Sequence, residues 1–155
     1  MRPTNKFYAT AVLAGALLAS LAAPRRAAAQ EVVLTGNDPV LRVQTGGWLP
    51  VDATVETKIL FKRQSIQTKV TVQTACPGQS FFLAVTALSP TAGYSAGPVL
   101  LRNGMAPTDL IVHVPSGTRR EQARLLYVAS ATDEQGNSDQ EGADVHVVTY
   151  TIVQE

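Results

Sequence analysis

An all-β fold, a single antiparallel sandwich of about seven to nine strands, is what this 155-residue sequence predicts. Beyond residue 30, apolar and polar residues alternate at period two over most of the chain, as they do in strands with one buried face. Gly and Pro cut that alternation into short pieces. No stretch carries a packed apolar stripe at helical spacing over the length a stable helix needs.

Residues 1–29 stand outside the pattern. Arg2 and Lys6 give a basic start, and Ala9 to Ala23 forms an uncharged run rich in Ala and Leu. Pro24, Arg25, Arg26 and the small residues Ala27-Ala28-Ala29 follow. This is the order of a secretory signal peptide cut before Gln30, and the run is shorter than the ~20 residues of a spanning helix. Arg25-Arg26 comes after the apolar run, so it is no twin-arginine signal, and no cysteine lies near the cut to accept a lipid. The expectation is export by the general secretory route, to the periplasm, the cell surface or the medium. Residues 30–155 then form one domain with no integral membrane segment.

Glu31–Thr35 reads as a first short strand, closed by the turn Gly36-Asn37-Asp38-Pro39. Val40–Gln44 is expected as a second, before Thr45-Gly46-Gly47. From Val51 to Phe61 the odd positions Val51, Ala53, Val55, Ile59 and Phe61 face one way, against Asp52, Thr54, Glu56 and Lys58. Ile66, Val70 and Val72 form the apolar side of the next strand, which runs to Thr74. Cys76-Pro77-Gly78-Gln79 breaks the chain, and Phe81–Leu88 is apolar on both faces, which suits a central strand. Ser89–Pro98 is a loop. Strands at Val99–Arg102 and Leu110–Val114 flank the Asn103-Gly104 turn, and Pro115-Ser116-Gly117 turns again. Thr118 to Glu121 has the T-x-x-E spacing of a helix capping box. Strand is nevertheless preferred there, because Ala123, Leu125, Tyr127, Ala129 and Ala131 alternate. Strands at Leu125–Thr132 and Asp144–Gln154 enclose the polar loop 133–143. The number and spacing of these strands point to an immunoglobulin-like sandwich, without the Cys–Trp–Cys core of antibody domains, since Trp48 precedes the only cysteine.

Composition narrows the function. Charged residues are 16% against about 25% in an average globular protein, and apolar residues are 45%. A disulfide scaffold, a disordered chain and a basic nucleic-acid binder are all excluded. The formal charge of +1 belongs to the precursor. Arg2, Lys6, Arg25 and Arg26 leave with the signal peptide, so nine basic residues face twelve acidic ones and the remainder carries −3. An outer-membrane barrel would need aromatic girdles that 6% aromatic content does not supply.

Several constellations invite a chemical reading. Gly93-Tyr94-Ser95-Ala96-Gly97 fits the G-x-S-x-G nucleophile elbow, yet no helix follows to build the strained turn that lifts the serine. Asp109 lies near His113 and Asp144 near His146, but the spacing of a zinc site is absent, and hydrogen-bonded or solvent-facing sheet histidines are expected. Cys76 is expected to be buried, with pairing to another chain as the alternative. Asp133, Asn137, Asp139, Glu141 and Asp144 are oxygen ligands of the type calcium takes, although Ser138 stands where a helix-loop-helix calcium loop requires glycine. A solvated loop is the favoured reading. Seven of the nine remaining bases fall in two groups: Lys58, Lys62, Arg63 and Lys69, then Arg119, Arg120 and Arg124. If their strands adjoin they make a basic face, suited to head-to-tail association or polysaccharide contact.

Val145–Val153 is the most regular strand, with Val145, Val147, Thr149, Thr151 and Val153 alternating against His146, Val148, Tyr150 and Ile152. Gly142 is the fourteenth residue from the end, counting Glu155 as the first. In this stretch the chain resembles secreted bacterial pilin-like subunits of the chaperone–usher type, which are immunoglobulin-like β-sandwiches. It departs from them in having Gln154 where they have a penultimate tyrosine, and in lacking their cysteine pair. The resemblance implies donor-strand assembly, with a strand such as Glu31–Thr35 completing a neighbour's sheet. The expectation is therefore an exported, non-enzymatic protein with no cofactor, acting in structure, adhesion or recognition. Its partners would be copies of itself or another surface protein. A filament subunit joined by strand complementation and a small hydrolase using Ser95 are the alternatives.

Overall fold

A computed structural model describes residues 32–36, 39–42, 45–46, 49–50, 52–132 and 146–155. The expected signal peptide 1–29, Asn37-Asp38, Trp48, the calcium candidates Asp133, Asn137, Asp139, Glu141 and Asp144, and Gly142 lie outside the described residues. What is described is all-β, with two antiparallel sheets and no helix. The strands are β1 (Val32–Thr35), β2 (Thr45–Gly46), β3 (Leu49–Pro50), β4 (Ala53–Lys62), β5 (Thr68–Ala75), β6 (Phe82–Leu88), β7 (Tyr94–Ser95), β8 (Val99–Leu100), β9 (Thr108–Val114), β10 (Arg120–Ser130) and β11 (Val147–Gln154). One sheet runs β1-β4-β10-β6-β8, the other β11-β5-β9-β7, and β2 pairs with β3 alone.

The alternation in the sequence is spent on one shared core. Ile59 and Phe61 of β4, Ala123, Leu125, Tyr127 and Ala129 of β10, and Leu83, Val85 and Ala87 of β6 all face inward. Across from them stand Val70 and Val72 of β5, Leu110, Ile111 and Val114 of β9, and Ile152 of β11. Each large side chain buried this way contributes about 1.5–3 kcal/mol by leaving water. Leu110 and Ile111 are sequence neighbours, so a regular strand would send one of them outward. A bulge between the Thr71–Asp109 and Val70–Ile111 pairs brings both into the core.

The two readings of residues 118–126 resolve as a bend at Thr118 followed by strand from Arg120, with no helix. β10 alternates exposed and buried residues from Arg120 onward, and Glu121 points inward and does not cap a helix. Its carboxylate lies 2.6 Å from Arg63 Nε and accepts a 2.6 Å hydrogen bond from Thr91 Oγ1. The Arg63 contact is an ion pair only, because its Nε–H does not point at the oxygen. Thr91 also donates its amide to the Gln122 carbonyl, which pins the 89–93 loop to the start of β10.

Three expectations are corrected. Ile66 is not on the apolar side of a strand: it sits in the bend ahead of β5 and is exposed. Residues 39–42 are not a strand: Gly36, at φ 114°, turns the chain off the edge of β4, and Pro39 has no amide to offer a ladder. The Ser89–Pro98 loop contains β7, whose Tyr94 and Ser95 pair with Val112 and Ile111. A side chain at Gly93 would meet the Val112 carbonyl at 2.5 Å, so glycine permits this close approach of the loop to β9.

The sheets are also joined by a hydrogen bond between the hydroxyls of Tyr127 on β10 and Tyr150 on β11. Burial is the main cause raising the ionisation of both tyrosines above the usual value. Each stays neutral in the fold at a pH where it would ionise in the unfolded chain. The pair's contribution is therefore complete below the unfolded pKa of about 10 and is lost as pH rises beyond it. Denaturant titrations from neutral pH to beyond pH ~10 are expected to show falling stability. The double variant Tyr127→Phe/Tyr150→Phe is expected to show a smaller fall, and equal slopes would count against the pair.

Candidate functional site

The antiparallel register of β4 with β10 sets opposite each other residues that electrostatics alone would keep apart. Lys62 is the direct partner of Arg120, and Lys58 of Arg124. All four are exposed, on the outer face of the five-stranded sheet, because even-numbered residues of both strands point away from the core. Side chains directly opposite on one face stand about 5 Å apart, and like charges there are destabilising. The two pairs are four residues apart along the strand, about 13 Å. Between them lies the row Val33, Leu60 and Gln122.

Each pair borders a concavity. Lys58 and Arg124, with Glu56, Val55, Pro39 and Val40, line an open groove of about 530 Å³. Lys62 and Arg120, with Val33, Leu60 and Phe61, line one of about 160 Å³. Arg124 Nη1 lies 3.2 Å from Glu56 Oε2, so a carboxylate moderates the Lys58–Arg124 pair. This exposed ion pair is worth little in stability but orients the guanidinium. Leu101 donates its amide to the Leu83 carbonyl, and exposed Arg102 follows this buried residue just past the end of β8. Among the described residues this face carries Lys58, Lys62, Arg102, Arg120 and Arg124 against the carboxylates Asp52 and Glu56.

Other bases grouped with these in the sequence lie elsewhere. Arg63, one residue past β4, turns to Glu121. Lys69 belongs to the other sheet and meets Asp109 at 2.9 Å. Arg119 precedes β10, and its carbonyl accepts the Arg63 amide.

The remaining constellations do not assemble. Ser95 sits on the two-residue strand β7, and its Oγ accepts the Gly97 amide at 3.3 Å. His113 does not meet Asp109. Glu155 takes it instead, with one carboxylate oxygen 2.9 Å from the ring Nδ1 and the other accepting the His113 amide at 2.8 Å. His113 itself sits in the left-handed region at φ 54°, at the second bulge of β9. Desolvation works to raise the Glu155 carboxyl, but hydrogen bonds from Gln67 and from the His113 amide outweigh it and hold the group below the usual carboxylate range. His146 lies just ahead of β11, within reach of the Thr74 hydroxyl at 3.4 Å and edge-on to the Phe81 ring. Cys76 is buried, with its amide donated to Asn103 Oδ1 at 2.9 Å. Among the described residues no three His, Cys, Asp or Glu side chains converge as metal ligands, and no helix is long and apolar enough to cross a membrane.

Comparison with protein-family models, curated proteins and solved structures found no match. If the facing cations repel as their register implies, Lys58→Glu is expected to stabilise the fold by roughly 0.5–1 kcal/mol at low ionic strength, with the gain fading in salt. Thermal melts at two ionic strengths check this, and a destabilised Lys58→Glu would argue against the pairing.

Proposed function

We propose that this chain is exported, that residues 30–155 form one immunoglobulin-like sandwich domain, and that it works by binding an anionic ligand on the outer face of its five-stranded sheet. One observation carries the reading: two cross-strand cation pairs, Lys62–Arg120 and Lys58–Arg124, each bordering a concavity. Like charges in direct register lower stability, whereas an anion laid across them turns that repulsion into attraction. Export is supported by the basic start, apolar run and small-residue cut site of residues 1–29. The immunoglobulin-like assignment is supported by two antiparallel sheets closing on one core. It extends to architecture and not to strand order, because β11 pairs with β5 and not with β10. Binding in place of catalysis is supported by Ser95 lying on an edge strand and by His113 being engaged by Glu155.

The domain's net charge makes the test discriminating. At −3, a protein of scattered charge should not be held by a polyanion. Retention on a dextran sulfate column at neutral pH and low ionic strength is expected, with elution by salt. Lys58→Glu and Lys62→Glu should each elute at lower salt, while Lys69→Glu, on the other sheet, should not. Flow-through of the unaltered protein, or an equal shift by Lys69→Glu, would overturn the reading.

A further inference from the structure

The cationic face also exposes apolar side chains, as other parts of the surface do at Ile66, Tyr94 and Val147. Val33 is 42% exposed, Val40 72% and Phe82 45%. Val33 lines the smaller concavity with Lys62 and Arg120, and Val40 lines the larger groove with Lys58 and Arg124. Phe82 opens β6, opposite Ser130 of β10. Val33 and Val40 therefore have cations as neighbours.

A purely saccharide polyanion would be matched by cations and hydrogen-bonding groups, and would gain little from Val and Phe. An acidic phospholipid surface matches both kinds of group at once. Its headgroups carry the negative charge, and the boundary beneath them takes apolar side chains. Lys and Arg suit such a boundary because their stems pack on apolar surface while the charge stays in water. Among the described residues the face is a sheet surface with open concavities, the shape a planar partner can cover.

Resting on the binding reading above, we propose that the ligand is an acidic phospholipid surface. The outer face of the five-stranded sheet lies flat on it, with Lys58, Lys62, Arg102, Arg120 and Arg124 at the headgroups and Val33, Val40 and Phe82 entering the boundary below. The contact is peripheral and is undone by salt.

Vesicle sedimentation tests this with protein recovered from a host that exports it. Pelleting is expected with phosphatidylcholine vesicles containing phosphatidylglycerol and not with phosphatidylcholine alone. Lys58→Glu and Lys62→Glu should each lower partitioning at least about fivefold. Phe82→Ser and the edge variant Val33→Ser should lower vesicle partitioning several-fold while leaving dextran sulfate retention unchanged, with thermal melts confirming that both are folded. Retention on dextran sulfate without vesicle binding, or vesicle binding indifferent to both apolar variants, would overturn the lipid assignment and leave the anion-binding face standing. Failure to bind either probe would overturn both.

Discussion

The structure depends on the position of β10 between β4 and β6. Paired on both sides along most of its eleven residues, this strand couples its own period-two pattern to those of two neighbours. Its odd positions supply Ala123, Leu125, Tyr127 and Ala129 to the core, and Tyr127 reaches across to the second sheet. Its even positions then have no freedom: Arg120 must face Lys62 and Arg124 must face Lys58. A slip of one residue would turn the cations inward and the core outward, so the register that builds the core also builds the cationic face.

That coupling holds like charges in register on the face. The repulsion within each pair is small beside the burial of Ile59, Phe61 and Leu125, whose contributions run to several kcal/mol together. A strong core can therefore hold like charges in register that an isolated hairpin would avoid. Glu121 shows a related economy on the inner side of the same strand. Its buried charge is matched by Arg63 and Thr91, and in satisfying it those groups tie down the loop that carries β7.

Much of the fold was legible because alternation is a local property. Positions 53–61, 70–74 and 123–131 each display their buried face without reference to any other strand, whereas Ile66, which continues the same pattern, is exposed ahead of β5. The features that escaped the sequence depend on distant partners. Leu110 and Ile111 look like a broken alternation until the bulge against β5 is known. β7 is two residues long and exists only because Gly93 lets it approach β9. The Tyr127–Tyr150 contact and the Glu155–His113 contact join residues whose proximity no spacing encodes. The cationic face was half legible. The two clusters of bases were visible, but only pairing could separate Lys58, Lys62, Arg120 and Arg124 from Arg63, Lys69 and Arg119, whose side chains or backbones are used elsewhere.

The central claim is that a stability-lowering arrangement of charge is retained because it is the binding face. Mapping backbone amide chemical shifts during titration with dextran sulfate tests it most directly. Perturbations are expected to concentrate at Val33, Leu60, Lys62, Arg120, Gln122 and Arg124, and to leave β5, β9 and β11 unchanged. Shifts centred on Lys69, or spread evenly over both sheets, would contradict it.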